Sequence, residues 1–199
     1  MLKKYKEIWI PFSIFLFIMA LLLMNKILPI DLWIYHQISY LICNPITSIM
    51  KTITFFGNTN TIFYLSIILL IYLSLKKKKE IIPFLITLFI SILCILYLKP
   101  IFARPRPDIL RLIPIDGYSF PSGHSIISAA FYGYLITYLL ENKKPKYLAF
   151  FIFPIFIFGI GFSRIYLGVH YFSDVLAGYS VGFLALGIGN LLRRKDKVL

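Results

Sequence analysis

Three groups of residues stand in fixed order along this chain: Lys99 with Arg106 and Pro107; the consecutive Pro121, Ser122, Gly123 and His124; and Ser163 with Arg164, His170 and Asp174. Their types suit phosphoryl transfer, which asks for clustered cations, a nucleophile and an acid. His170 and Asp174 are four apart. If their helix begins near Val169 they share one face, and the carboxylate accepts a hydrogen bond from one imidazole nitrogen. That fixes the tautomer and leaves the other nitrogen free to attack phosphorus. His124 follows a Pro-Ser-Gly turn that opens an apolar run, where a helix start presents unpaired amides and a partial positive charge. Ser122 is then the helix cap, and Ser122 with the Gly123 amide would also hold phosphoryl oxygens. His124 would protonate the leaving oxygen, a role worth about 10²–10⁴-fold in rate. Lys99, Arg106 and Arg164 supply three positive charges, a set that can replace a metal ion. No metal and no other cofactor is expected.

In this order the motif residues resemble the signature of the type 2 phosphatidic acid phosphatase (PAP2) superfamily, which also contains vanadium haloperoxidases. The motifs cover Lys99 to Asp174, and the architecture covers the whole chain. The resemblance implies a bacterial membrane lipid phosphatase in which His170 becomes a phosphohistidine and Asp174 is its orienting partner. The family spacing from Lys99 selects Arg106 over Arg104, which leaves Arg104 and Arg111 with headgroup or rim contacts. Asp108 and Asp116 are expected in solvated loops, because a carboxylate beside a phosphate repels it.

The elements that must position these residues are membrane spans. With 59% hydrophobic residues and a mean hydropathy of +0.83, a chain of 199 residues has too little polar surface for a soluble globule. Six apolar runs, residues 8–24, 59–75, 81–98, 125–140, 147–162 and 175–192, lie at the short end of the spanning range. The expectation is an all-α integral membrane bundle of six transmembrane helices, forming a single phosphatase domain over residues 1–199. The first run follows Lys3, Lys4 and Lys6, but Met24-Asn25-Lys26 offers no small-residue cleavage site, so it reads as a retained helix. Residues 27–58 read as two short interfacial helices either side of Asn44-Pro45, with Trp33 and Tyr35 at headgroup depth, capping the bundle. His36 belongs to no motif and is expected to be interfacial or hydrogen-bonded. Cys43 and Cys94 suggest neither a disulfide nor a metal pair.

The net charge of +13 invites a nucleic-acid reading that its distribution contradicts. Lys3, Lys4, Lys6, the run Lys76 to Lys79, Lys143, Lys144, Lys146, Arg193, Arg194, Lys195 and Lys197 sit at alternate ends of the spans, 14 of the 21 basic residues. By the positive-inside rule those ends, and both termini, are cytoplasmic. Lys99, Arg104, Arg106, Arg111 and Arg164 gather on the other side, where topology does not ask for them, and an anionic ligand is the reason. The site is therefore expected on the extracytoplasmic face of the plasma membrane, acting on an outer-leaflet lipid phosphate that slides in laterally. Undecaprenyl diphosphate is favoured as substrate, with phosphatidylglycerophosphate or phosphatidate as the alternative. The partners are the lipid and the bilayer, with no nucleic acid and no obligate protein partner. An anion-binding transporter would explain the outward cations but not the pairing of His170 with Asp174. A vanadate-dependent haloperoxidase has little weight, since its known members are not small six-helix membrane proteins.

Overall fold

Helices account for most of the chain in the computed structural model, which describes residues 5–142 and 145–195. Lys3, Lys4, Lys143, Lys144 and Lys197 of the charge argument lie outside the described residues. The helices are α1 (Lys6–Leu23), α2 (Leu28–Ser39), α3 (Asn44–Phe55), α4 (Thr59–Lys76), α5 (Ile81–Phe102), α6 (Gly123–Glu141), α7 (Phe153–Tyr166) and α8 (Phe172–Lys195). The short helices α2 and α3 fill the interval assigned to the interface, and Asn44-Pro45 opens α3, where a proline without an N–H is tolerated. Trp33 points outward as expected. Tyr35 does not: it is 4% exposed and donates its hydroxyl to the Leu110 carbonyl at 2.7 Å, so α2 turns a polar face toward the protein.

Five segments are long and apolar enough to cross a membrane: α1, α4, α5 with the turn before it, α7 with the turn before it, and α8. The sixth expected span, α6, has 19 residues but carries serines, glycines and tyrosines through its length. Its composition follows from its position. Every residue from 125 to 134 is buried against other helices, so α6 has little need of a lipid-compatible surface. Ahead of α7, residues Leu148–Ile152 form a wide π turn, which accommodates Pro154, a residue that cannot donate to the carbonyl one turn back.

The central helix is α8, packed on α1, α5 and α6, while α7 lies between α6 and α3. Gly178 and Gly182 set its distance from α6. A β-carbon at Gly178 would fall 2.7 Å from the Ser122 carbonyl oxygen, and one at Gly182 would fall 2.4 Å from that of Ile126. Small residues four apart let the two backbones touch, as in membrane helix pairs generally, and so bring the start of α6 against the start of α8. By contrast α4 barely touches α5. An apolar cleft of about 350 Å³ opens between α4, α5 and α6, walled by residues such as Ile62, Phe63, Ile92 and Ile95. One end of the bundle collects the close of α5 and α7 and the opening of α6 and α8. The lysine-bearing α4–α5 turn lies at the other end, where Arg193 is buried and paired to Glu80 at 2.7 Å.

Candidate active site

Two loops deliver the polar residues to one end of the bundle. Helix α7 closes in a Schellman motif: the Gly168 N–H donates to the Ile165 carbonyl at 2.9 Å and the Val169 N–H to that of Arg164 at 3.2 Å, with Gly168 at φ 69°. A β-carbon at Gly168 would also fall 2.1 Å from the Leu110 carbonyl oxygen. His170 follows directly, ahead of α8. The other loop leaves α5 as Arg104-Pro105-Arg106-Pro107. Each arginine precedes a proline, which favours extended backbone, and alternate residues of an extended chain share a face. Arg104 and Arg106 accordingly both turn inward, each 8% exposed.

Arg106 is held by backbone carbonyls, donating from Nε to Gly117 at 2.9 Å, from Nη2 to Asp116 at 3.0 Å and from Nη1 to Val169 at 2.8 Å. Its Nη1 also faces His170 Nε2 at 3.2 Å. Because a guanidinium can only donate, Nε2 is the acceptor and the ring proton sits on Nδ1. His170 Nδ1 then faces the Ser119 hydroxyl at 3.3 Å, and that hydroxyl donates in a short hydrogen bond to Asp174 Oδ2. His170 Nδ1 and Asp174 Oδ2 do meet directly, as an ion-pair contact of 3.6 Å that is longer than the hydrogen bond expected. The reason is the start of α8 at Phe172, not Val169: His170 lies outside the helix, and Ser119 bridges the pair.

Asp174 is the third residue of α8 and accepts the Tyr171 N–H at 2.8 Å, closing the helix start as a capping carboxylate does. Its Oδ1 takes Arg104 Nη1 at 2.6 Å. Arg104 is therefore no rim residue. It pairs through Nη2 with Asp31 of α2 at 2.8 Å and lies over the Tyr171 ring, 4.1 Å from its centroid. Burial opposes the Arg104 charge, but Asp174 and Asp31 outweigh it and raise its pKa above the ordinary value. For His170 burial wins, aided by Arg164 and Arg106 against the pull of Asp174, and its pKa falls to about 4.

Arg164, on the last turn of α7, is 1% exposed and donates from Nη1 to Thr54 Oγ1 at 2.9 Å. Its Nε and Nη2 are buried with no hydrogen-bond partner among the described residues. Burial holds the His124 imidazole well below its ordinary pKa, and the charges of Arg164, His170, Lys99 and Arg106 act in the same direction. Lys99 donates to the Tyr118 carbonyl at 2.8 Å, and its Cε would lie 3.7 Å from a β-carbon at Gly123. Gly57, at the α3–α4 turn, leaves room for both His124 and Ile160. The Ser122 hydroxyl is buried and, as the α6 cap, accepts from the Ser125 N–H at 3.5 Å and hydroxyl at 3.1 Å, which engages its oxygen and not its own O–H. All eight residues singled out from sequence thus stand at this end of the bundle.

Arg104, Asp31 and Ser119 were missed as functional candidates. The doubled Arg-Pro step carried the signal for Arg104, since both arginines must share a face. Nothing local marks Asp31. Asp108 and Asp116 are exposed as expected, and His36 is exposed with its Nε2 2.8 Å from the Tyr40 hydroxyl. Among the described residues no three His, Cys, Asp or Glu side chains cluster in a way that could hold a metal ion.

A family model described as the PAP2 superfamily matches residues 80–196. Phosphatidylglycerophosphatase B of Bacillus subtilis (strain 168) is 36% identical over 105 residues, 49% of this chain and 52% of that protein. Undecaprenyl-diphosphatase BcrC of the same organism is 36% identical over 104 residues, 47% of this chain and 49% of that protein. The chain spans about half the length of the curated relatives it matches. Its likeness to the crystal structure of a transmembrane PAP2-type phosphatidylglycerolphosphate phosphatase from Bacillus subtilis is longer, with a TM-score of 0.83, 28% identity and 98% of both chains covered.

Proposed function

The chain belongs to the PAP2 superfamily, and on that premise we propose that it is a metal-independent lipid phosphatase working through a phosphohistidine. The observation that carries the reading is the buried Arg164 guanidinium, whose Nε and Nη2 have no hydrogen-bond partner among the described residues, at the end of the bundle where Arg106 faces the lone pair of His170 Nε2. Buried donors without acceptors are costly, and a site that keeps them is built for an incoming anion.

Lys99, Arg106 and Arg164 hold the phosphoryl oxygens, Arg106 turning from Nε2 onto the substrate, and the Gly123 amide at the open start of α6 adds a donor. His170 Nε2 attacks phosphorus, the P–O bond to the leaving group breaks, and His124 gives its proton to the departing oxygen. The imidazolium so formed keeps its Nδ1 proton against Ser119, with Asp174 behind. Water then attacks the phosphohistidine, His124 takes back a proton, the P–N bond breaks, and inorganic phosphate leaves with His170 restored.

A lipid substrate suits the setting. The apolar cleft between α4, α5 and α6 reaches Ile95, whose methyl would lie 3.7 Å from a β-carbon at Gly123, so a hydrocarbon chain can lie there with its phosphate at His124. With Lys76 to Lys79 and Lys146 at the other end, the positive-inside rule makes the site extracytoplasmic and the termini cytoplasmic. Undecaprenyl diphosphate is the substrate we favour, as a long-chain outer-leaflet lipid with a terminal phosphate, and the likeness to BcrC supports it. Phosphatidylglycerophosphate is the second reading, favoured by the full-length likeness to a phosphatase of that lipid.

The test is phosphate release by detergent-solubilised protein in EDTA, side by side on undecaprenyl diphosphate, phosphatidylglycerophosphate and phosphatidate. Release from at least one lipid is expected, with vanadate inhibiting. No release from any, or a strict need for added Mg²⁺, refutes the proposal, while the order of the rates decides the substrate.

A further inference from the structure

We propose that Asp31, on α2, is a positioning residue for the reaction, holding Arg104 and the first turn of α8 so that Asp174 keeps its negative charge for His170. The inference rests on the phosphohistidine reading above. It concerns a residue outside the stretch 80–196 that the family model matches.

Asp31 is 1% exposed, on a helix otherwise facing outward over much of its surface. Both its oxygens are committed to the active-site end of α8. Oδ1 accepts the Ser173 N–H at 2.8 Å, one of the amides that a helix start leaves unpaired, and Oδ2 accepts the Ser173 hydroxyl at 2.6 Å. Oδ2 also accepts Arg104 Nη2 at 2.8 Å, while Nη1 of the same guanidinium reaches Asp174 at 2.6 Å and Ser173 Oγ at 2.8 Å. One guanidinium is thus shared by two buried carboxylates.

The charge count gives this sharing a consequence. Arg104 with Asp174 alone would be neutral, and the carboxylate behind His170 would be spent on its salt bridge. With Asp31 the group carries one net negative charge, in surroundings too dry to screen it. That charge faces His170 through Ser119 and opposes Arg164 and Arg106, which otherwise disfavour the imidazolium formed in the attack. Asp31 therefore acts on the transition state through Asp174 without touching substrate. Tyr35, one turn on, holds the Leu110 carbonyl at 2.7 Å, so α2 also braces the loop that carries both arginines.

Asp31→Asn keeps the shape and removes the charge. In detergent-solubilised full-length protein we expect kcat to fall about 10- to 100-fold, the range for residues that orient catalytic groups from behind, with KM within about threefold because the phosphate-binding cations are untouched. The acid limb of kcat/KM should move to lower pH, since His170, which Asp174, Arg164, Arg106 and His124 also face, holds its proton less strongly. Asp31→Glu should restore most of kcat. A merely structural role would lower the folded fraction and leave the profile and the kcat per folded enzyme alone, and that result overturns the inference. If Asp31→Asn does not yield folded protein, Ser173→Ala, which removes one hydroxyl from the same link, carries the test, and unchanged kcat and profile there also overturn it. Wild-type protein that forms no acid-labile phosphohistidine refutes the phosphatase reading itself. Wild-type activity with an indifferent Asp31→Asn refutes only the role of Asp31.

Discussion

Replacing Arg164 by Met should raise stability while nearly abolishing catalysis. In the protein without substrate, two buried donors of Arg164 go unpaired. Each such group destabilises by about 1–3 kcal/mol, and the Thr54 bond returns about 1.5–3 kcal/mol. Methionine fills a similar volume with no polar atom and relieves the repulsion from Arg106 and Lys99, so the variant should gain on the order of 2 kcal/mol. For a chain of this size that is a rise in melting temperature of about 5 °C. In the transition state the same two donors would make charge-assisted bonds worth about 1.5–3 kcal/mol each, so the variant should lose about 10²–10⁴-fold in kcat/KM. The assay is thermal unfolding of detergent-solubilised protein with and without vanadate, alongside phosphate release. Wild type should be stabilised by vanadate, by about 2.7 kcal/mol at a hundred times its Kd, and Arg164→Met should not. A variant that melts lower than wild type and keeps activity within tenfold would refute the reasoning, making Arg164 a structural tie to Thr54.

His170→Ala should abolish turnover and covalent labelling in a folded protein, and substantial residual activity would remove it as nucleophile. His124→Ala should hurt lipid phosphates more than an activated aryl phosphate, whose leaving group needs no acid; equal losses would take the acid role from it. Ser119→Ala should cost about 10- to 100-fold in kcat, because it removes the hydroxyl that bridges His170 and Asp174; a kcat within twofold of wild type counts against the relay. With its pKa depressed to about 4, His170 should stay neutral and nucleophilic above that pH, so the acid limb of kcat/KM should fall through about pH 4. The same depression means that stability declines as pH drops from about 6.5 toward 4, where the unfolded chain takes up the proton first; an acid limb near 6.5 assigned to His170 would contradict its burial. In a Cys43→Ser, Cys94→Ser background, a cysteine at Asp116 should react with an impermeant thiol reagent from outside intact cells and one at Asn142 should not, and the reverse pattern would place the site in the cytoplasm.

Much of this molecule was legible in the chain. Spans are written in composition: a helix bathed in lipid must be apolar along its whole length, so α1, α4, α5, α7 and α8 declare themselves. The motif residues were legible because each lies within a few residues of a helix end, even where the loop between α5 and α6 is long. The sixth expected span, α6, was the faintest for the same physical reason in reverse, since protein neighbours permit serine, glycine and tyrosine.

The detailed pairings came only from the fold. The sequence determined by itself that His170 and Asp174 would be near each other, because four residues allow little else. How closely they meet was decided by the register of α8, which starts at Phe172 and lets Ser119 bridge them. It also determined that two arginines flank Pro105, whereas the burial of Arg104 between Asp174 and Asp31 required α2 to lie across the opening of α8. Asp31 and Ser173 are 142 positions apart and meet with both carboxylate oxygens engaged. Periodicity and local spacing report only on interactions within a few turns. A buried charge, by contrast, is settled by whichever partner the packed helices bring within about 3 Å, and that is a property of the assembled bundle alone.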